Sequence, residues 1–293
     1  MRNFAYTVVD VFTDRALEGN AVAVFTDARA LREEEFQRLA RETNLSETTF
    51  ILPREAAIER EHGVKVRIFT VAEELPFAGH PTLGTASVIR GGTGASCVEL
   101  DLLVGKIPVE FACELGPSFG TMRQRDPEFG QIHRREDIAR FTNLRSEDLR
   151  DDVPIQTVST GMAFAIVPVK TLAALQNLRF DYPRSFEYSQ GTDAKLFFFV
   201  STETVNAQAD VHARMIFYNG EDPATGSASG CCAAWLVKHG VAKPGQRVVI
   251  EQGLECRRPS RIVVSADRDG DAIVDVRVGG SVVEVARGTF TLS

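Results

Sequence analysis

The hexapeptides Glu74-Leu75-Pro76-Phe77-Ala78-Gly79 and Glu221-Asp222-Pro223-Ala224-Thr225-Gly226 share the pattern Glu-x-Pro-x-x-Gly and stand 147 positions apart in a chain of 293 residues. Each opens a stretch of small and apolar residues, His80-Pro81-Thr82-Leu83-Gly84-Thr85-Ala86 and Ser227-Ala228-Ser229-Gly230-Cys231-Cys232-Ala233, that reads as a buried helix. Two further pairs keep the same order. Gly19-Asn20-Ala21-Val22-Ala23-Val24 matches Gly161-Met162-Ala163-Phe164-Ala165-Ile166, and Val64-Lys65-Val66-Arg67-Ile68 matches Val211-His212-Ala213-Arg214-Met215. Three pairs at nearly one offset imply an internal duplication. The offset is far longer than the roughly 20–50 residues of a solenoid repeat, so the repeats are paired domains. Helices are too few among the strands for a doubly wound parallel sheet. The expected fold is α+β, with two pseudo-symmetric halves, each a curved, mostly antiparallel sheet or barrel around a central helix. Residues 1–122 plus 279–293 are assigned to one half and 123–278 to the other, with an active-site cleft between them.

Local signals fill in this plan. Tyr6–Phe12 and Ala21–Phe25 read as strands joined through Gly19-Asn20, and Leu31–Glu42 as a helix ended by Thr43-Asn44. Leu45–Leu52 is an apolar, β-branched strand carrying one carboxylate, Glu47. The tail from Ala272 to Leu292 reads as a hairpin through Gly279-Gly280.

A polar turn that opens a buried helix leaves the first backbone N–H groups without intrahelical partners, and the helix dipole adds positive potential there. Two such starts, around Gly79-His80 and Gly226-Ser227, suit a carboxylate ligand. The chemistry this suggests is proton movement at a carbon next to a carboxylate, with the donors stabilising enolate-like charge. Neither turn contains cysteine, and Cys231-Cys232 lie a helical turn further in, where they read as core residues; a two-thiol racemase is therefore disfavoured. Glu47 is the better acid/base, because partial burial in an apolar strand raises a carboxyl pKa, although a place on the solvent face of that strand is the plainer alternative. His80 fits either a helix cap or a second acid/base. Asp222 fits either a substrate-amine acceptor or a carboxylate that stabilises the helix start. Thr225 or Ser227 as a simple cap is the plain reading of the second turn.

Other classes fare poorly. A net charge of −7 and a pI near 5.4 argue against nucleic-acid and anionic-membrane partners. No apolar run is long enough to span a bilayer, and the N-terminus does not read as a signal peptide. Five cysteines, Cys113 among them, form an odd set without C-x-x-C, which points to reduced thiols and a cytoplasmic location. The five histidines lack metal-ligand spacing, so no metal is expected.

Gly19–Val24, Asn44-Leu45-Ser46-Glu47-Thr48-Thr49-Phe50, Pro76-Phe77-Ala78-Gly79-His80-Pro81-Thr82-Leu83-Gly84 and Glu221–Ser227, taken together and in order, resemble the PhzF-like family, the phenazine-biosynthesis isomerases of the diaminopimelate-epimerase superfamily. The resemblance implies a homodimer of two-lobed chains that uses no metal or organic cofactor. It implies isomerisation of a small carboxylate such as trans-2,3-dihydro-3-hydroxyanthranilate, in which a glutamate moves a proton between ring carbons. The positions that match its pocket are Glu47, His80, Asp222 and Ser227, with Gly79, Gly226, Asn20 and Ser46 as further substrate-binding positions. Superfamily racemases carry two cysteines in the paired turns instead. The segment Arg214–Gly220, which includes Tyr218 and Asn219, is shorter here than in the family, so the substrate is expected to differ most there. A small-carboxylate-binding homologue without turnover is the alternative, and retention of Glu47 with His80 and Asp222 favours the enzyme.

Overall fold

Residues Arg2–Val11 form β1, which buries Phe4 on one face, Thr7 on the other, and the whole of Val9–Val11. The computed structural model describes residues 1–111, 116, 118–217 and 220–293; Cys113, Tyr218 and Asn219 lie outside the described residues. Two compact units emerge, residues 1–123 with 279–293 and residues 124–278.

In the first unit, β1 is followed by β2 (Asn20–Phe25), α1 (Glu33–Thr43), β3 (Glu47–Leu52), α2 (Ala56–His62), β4 (Val64–Phe69), β5 (Glu74–Leu75), α3 (Gly79–Thr93), β6 (Cys97–Leu102), β7 (Gly105–Phe111) and β8 (Phe119–Arg123). The final strand of the chain, β17 (Ala272–Leu292), changes units at Val278–Gly279. Strand pairing runs antiparallel between β1 and β2, parallel between β2 and β3, antiparallel to β4 and parallel to β6. It continues antiparallel through β7 and β8, then through β17 back to β1. This ring is a closed eight-stranded barrel, so its strands leave no free edge.

The barrel interior is filled by the first two turns of α3, buried from Gly79 through Ala86. Small residues make this possible. At Gly84 an added Cβ would lie 2.6 Å from Val22 Cγ1 and 3.0 Å from Val11 Cγ2, so the helix backbone runs against the β1–β2 wall. The Thr49 and Thr85 hydroxyls, both buried, bond each other at 2.7 Å and satisfy two polar groups at that wall. On the outer face, α1 covers Phe25, Phe50 and Phe69 with Phe36 and Leu39. Asn44 closes α1 in the left-handed conformation, φ 52°, with its N–H on the Ala40 carbonyl.

The second unit contains β9 (Glu128–His133), α4 (Arg135–Ala139), β10 (Ile155–Ser159), β11 (Ala163–Pro168), α5 (Leu172–Gln176), α6 (Tyr182–Gln190), β12 (Leu196–Ser201), β13 (Val211–Phe217), β14 (Gly220–Glu221), α7 (Gly226–Lys238), β15 (Val248–Gln252) and β16 (Ser260–Asp269). Its ladder repeats that of the first unit. β10 and β11 are antiparallel, β11 and β12 parallel, β12 and β13 antiparallel, β13 and β15 parallel, and β15 and β16 antiparallel. The short β14 hangs on β13 as β5 hangs on β4, and the buried helix comes after each. α7 packs against β10, β11 and β16.

One sequence expectation fails. Gly279-Gly280 is no hairpin turn, since β17 runs unbroken through it. Gly279 is glycine because the chain there passes against β8, where a Cβ would sit 2.6 Å from the Gly120 carbonyl oxygen. Among the described residues no helix is long and apolar enough to cross a membrane.

Candidate active site

In the first unit the site is built on three neighbouring starts, those of β2, β3 and α3. Gly19 turns the chain into β2 with φ +67°, and a Cβ there would lie 2.3 Å from the Val11 carbonyl oxygen, so the turn requires glycine. Asn20 is next, buried at the head of β2 and in register with Val11. Parallel pairing sets Val22 opposite Glu47, which makes Glu47 the first residue of β3 and keeps it half-buried. Ser46, just before it, is exposed. α3 enters from extended Ala78, and Thr82 returns both its N–H (3.2 Å) and its hydroxyl (2.7 Å) to the Ala78 carbonyl. Pro81 has no N–H, so Gly79 and His80 carry the first-turn donors of this helix.

These starts bring His80 onto Glu47. The imidazole is buried, and its Nε2 lies 3.2 Å from Glu47 Oε2 at an angle that closes no hydrogen bond. Burial pushes the His80 pKa down to about 3, against the opposing effect of a hydrogen bond to the Ala21 backbone. That bond favours the protonated ring, but burial outweighs it. The ring is therefore neutral at pH 7, with Nε2 turned towards the carboxyl and no hydrogen bond closed on it.

In the second unit the corresponding turn is held by Gln252, fully buried at the end of β15. Its amide nitrogen donates to the Asp222 carbonyl (2.8 Å) and the Thr225 hydroxyl (2.9 Å), and its oxygen accepts from the Thr225 N–H (3.1 Å). Thr225 stands at the cap position of α7, yet its hydroxyl donates to Asp222 Oδ2 at 2.6 Å and caps no helix N–H. The plain capping reading of Thr225 is thus corrected: the hydroxyl orients the Asp222 carboxylate. Gly226 is buried, with its carbonyl accepting from Gln124 Nε2 at 3.0 Å, and Ser227 is half-buried beside it. Cys231 and Cys232 are fully buried; burial pushes the first thiol up to about 11 and raises the second further. They are core residues and poor nucleophiles.

Three supporting residues are not evident from the motifs alone. Arg67 grips Glu74, and Arg214 grips Glu221, each through two bonds of 2.7–2.8 Å, while Gln252 ties the second turn. The repeated Glu of Glu-x-Pro-x-x-Gly was the available signal for the first two, since a half-buried carboxylate at a fixed place needs a partner. Gln252 gave no such signal, because its partners arrive from a distant strand.

A family model described as "Phenazine biosynthesis-like protein" matches residues 9–288. The chain is 33% identical over 289 residues to a trans-2,3-dihydro-3-hydroxyanthranilate isomerase of Pseudomonas aeruginosa, covering 97% of this chain and 98% of the relative. A protein of the same name from Pseudomonas chlororaphis is 34% identical over 292 residues, with 98% and 99% covered. The crystal structure of a Bacillus anthracis phenazine biosynthesis protein of the PhzF family superposes with a TM-score of 0.89 at 26% identity, over the full length of both chains. Agreement that runs from β1 to β17 in both sequence and fold leaves one conclusion: the chain belongs to the phenazine biosynthesis-like, or PhzC–PhzF, family.

Proposed function

We propose that this protein is a cofactor-independent isomerase that moves a proton at carbon in a small carboxylate or amino-acid-like substrate. The observation that carries the proposal is the Glu47–His80 pair, a carboxyl 3.2 Å from Nε2 of a buried, neutral imidazole. Glu47 takes the proton as the C–H bond breaks, and the electron pair moves into the substrate π system towards its carboxylate. The proton now on Glu47 faces the His80 Nε2 lone pair, which holds the carboxyl in place without adding positive charge. The same carboxyl then returns a proton to carbon, so nothing is oxidised or reduced. The N–H groups of Gly79 and His80, at the positive end of α3, stabilise the charge that builds on the substrate carboxylate.

In the second unit, Asp222, oriented by Thr225, suits a substrate amine or hydroxyl, and the N–H groups of Gly226 and Ser227 suit an anionic group. Asn20 and Ser46 border the Glu47 end of the site. The named isomerase relatives support a substrate of the dihydroaromatic amino-acid type, which carries both groups this arrangement would read.

The test is proton NMR of the wild-type protein in D₂O with a panel of cyclic and acyclic amino acids and dihydroaromatic carboxylates, trans-2,3-dihydro-3-hydroxyanthranilate among them. Deuterium entering a carbon position, or a shifted double bond, supports the reading. Binding of panel members with no exchange and no isomer formed contradicts it.

A further inference from the structure

Arg67 and Arg214 stand 147 positions apart, and so do Glu74 and Glu221. Arg67 lies in β4 and Glu74 opens β5; Arg214 lies in β13 and Glu221 closes β14. In each half the guanidinium holds the carboxylate by two parallel bonds, Nε to Oε1 and Nη2 to Oε2, at 2.7 Å in the first unit and 2.8 Å in the second. The side chains are only 16% and 24% exposed in one pair and 8% and 13% in the other, so these are not screened surface pairs.

The surroundings of the two forks differ. Arg67 lies over the Phe36 and Phe69 rings, at 4.5 and 5.0 Å, and forms a second fork with Glu33. Arg214 instead sends Nη1 to the carbonyls of Leu175, Gln176 and Leu178 at 3.0–3.2 Å. Both forks share their position in the chain: each glutamate leads into a proline turn and then the start of α3 at Gly79 or of α7 at Gly226. Among the described residues β5 and β14 each pair with their neighbour at two positions, Ile68–Leu75 with Phe69–Glu74, and Ile216–Glu221 with Phe217–Gly220. Such short ladders fix a turn poorly; a rigid bidentate fork across each adds a restraint, which in the second unit acts alongside Gln252.

We propose that the Arg67–Glu74 and Arg214–Glu221 forks are positioning devices, one for each helix start. The first sets the backbone of Gly79 and His80 and hence proton transfer by Glu47. The second sets Asp222, Gly226 and Ser227 and hence substrate binding. This division of labour rests on the proposed function above, whereas the control of each helix start by its own fork does not.

Lysine keeps the charge at either arginine and loses the planar fork. Arg67→Lys is expected to lower kcat about 10- to 100-fold with KM nearly unchanged, as small misplacements of reacting groups do. Arg214→Lys is expected to raise KM about tenfold with kcat nearly unchanged, as loss of uniform binding does. The independent readout is the amide signals of ¹⁵N-labelled full-length protein. Arg67→Lys should shift the Gly79 and His80 signals and speed their hydrogen exchange while those of Gly226 and Ser227 stay in place; Arg214→Lys should do the reverse. Where a lysine variant does not fold, Glu74→Gln or Glu221→Gln, which keeps the shape and drops the charge, gives the same readout. Amide signals that stay in place, or that move equally at both helix starts, overturn the proposal, as does a lower Tm with kcat and KM unchanged. A wild type that binds panel members but neither exchanges deuterium nor forms an isomer defeats the proposed function, and the amide pattern still decides the role of the forks.

Discussion

His80 Nε2, on a buried ring, lies 3.2 Å from Glu47 Oε2, a carboxyl at the first residue of β3. In the proposed mechanism this nitrogen accepts from the proton that Glu47 carries between its removal from carbon and its return. His80→Leu removes the acceptor and keeps an apolar side chain. Steady-state kinetics of this variant should show kcat lowered about 10²-fold, the scale at which a positioned acid/base partner acts. A kcat within twofold of wild type would show that Glu47 works without the ring.

The same ring shapes the response of stability to pH. The native His80 pKa of about 3 lies below its ordinary 6.5, so between these values the unfolded chain binds a proton that the folded chain does not. Stability therefore rises with pH across that window and holds above about pH 6.5. Burial lowers His133 and His239 too, which adds to the same trend. His212 works in the opposite sense. Burial pulls it down, but its bonds to Glu255 (3.0 Å) and Glu251 (2.8 Å) outweigh this and leave its pKa raised. Its contribution is complete below about pH 6.5 and is lost as pH rises through the raised value. Urea unfolding between pH 4 and 9 checks both signs: His80→Leu should flatten the acid side, and His212→Gln should cost most at low pH and least at high pH.

Two glycines of α3 should respond oppositely to alanine. At Gly84 a Cβ would meet Val22 and Val11 at 2.6 and 3.0 Å inside the barrel, so Gly84→Ala is expected to destabilise by about 1–3 kcal/mol through overpacking. At Gly91, in the same helix, a Cβ meets nothing within 4 Å, so Gly91→Ala should stabilise by about 0.5–1 kcal/mol through helix propensity. Chemical denaturation of the two variants side by side measures the contrast.

Thiol reagents should separate buried from exposed cysteines without stopping turnover. Cys97 is exposed, whereas Cys231 and Cys232 are fully buried; burial raises the pKa of all three, so access separates them. Iodoacetamide on the native protein should label Cys97 and leave Cys231 and Cys232 unmodified by peptide mapping, with activity retained. Inactivation that tracks modification of Cys231 or Cys232 would restore a thiol mechanism.

Much of the architecture was legible because duplication doubles each signal. The paired Glu-x-Pro-x-x-Gly turns located α3 and α7, and Asn44 marked the end of α1 through its tolerance of positive φ. Gly279-Gly280 misled because glycine serves close backbone approach as well as turns, and only the partner strand β8 reveals which. Glu47 stood out as a lone carboxylate in an apolar strand and His80 by its place at a helix start, but their mutual approach depends on the parallel β2–β3 register, which no local pattern encodes. The role of Thr225 was hidden for a related reason. A threonine before a helix fits a cap, and the group that redirects its hydroxyl to Asp222 is Gln252, which comes from β15.

The most direct measurement is deuterium incorporation from D₂O by Glu47→Gln and wild-type protein on the same substrate, with ligand binding measured in parallel. Glutamine keeps the shape of the side chain beside His80 and cannot take a proton from carbon. The expected result is binding within a few-fold of wild type and loss of deuterium incorporation by at least about 10²-fold. Exchange at the wild-type rate in Glu47→Gln would contradict the assignment of Glu47 as the group that moves the proton.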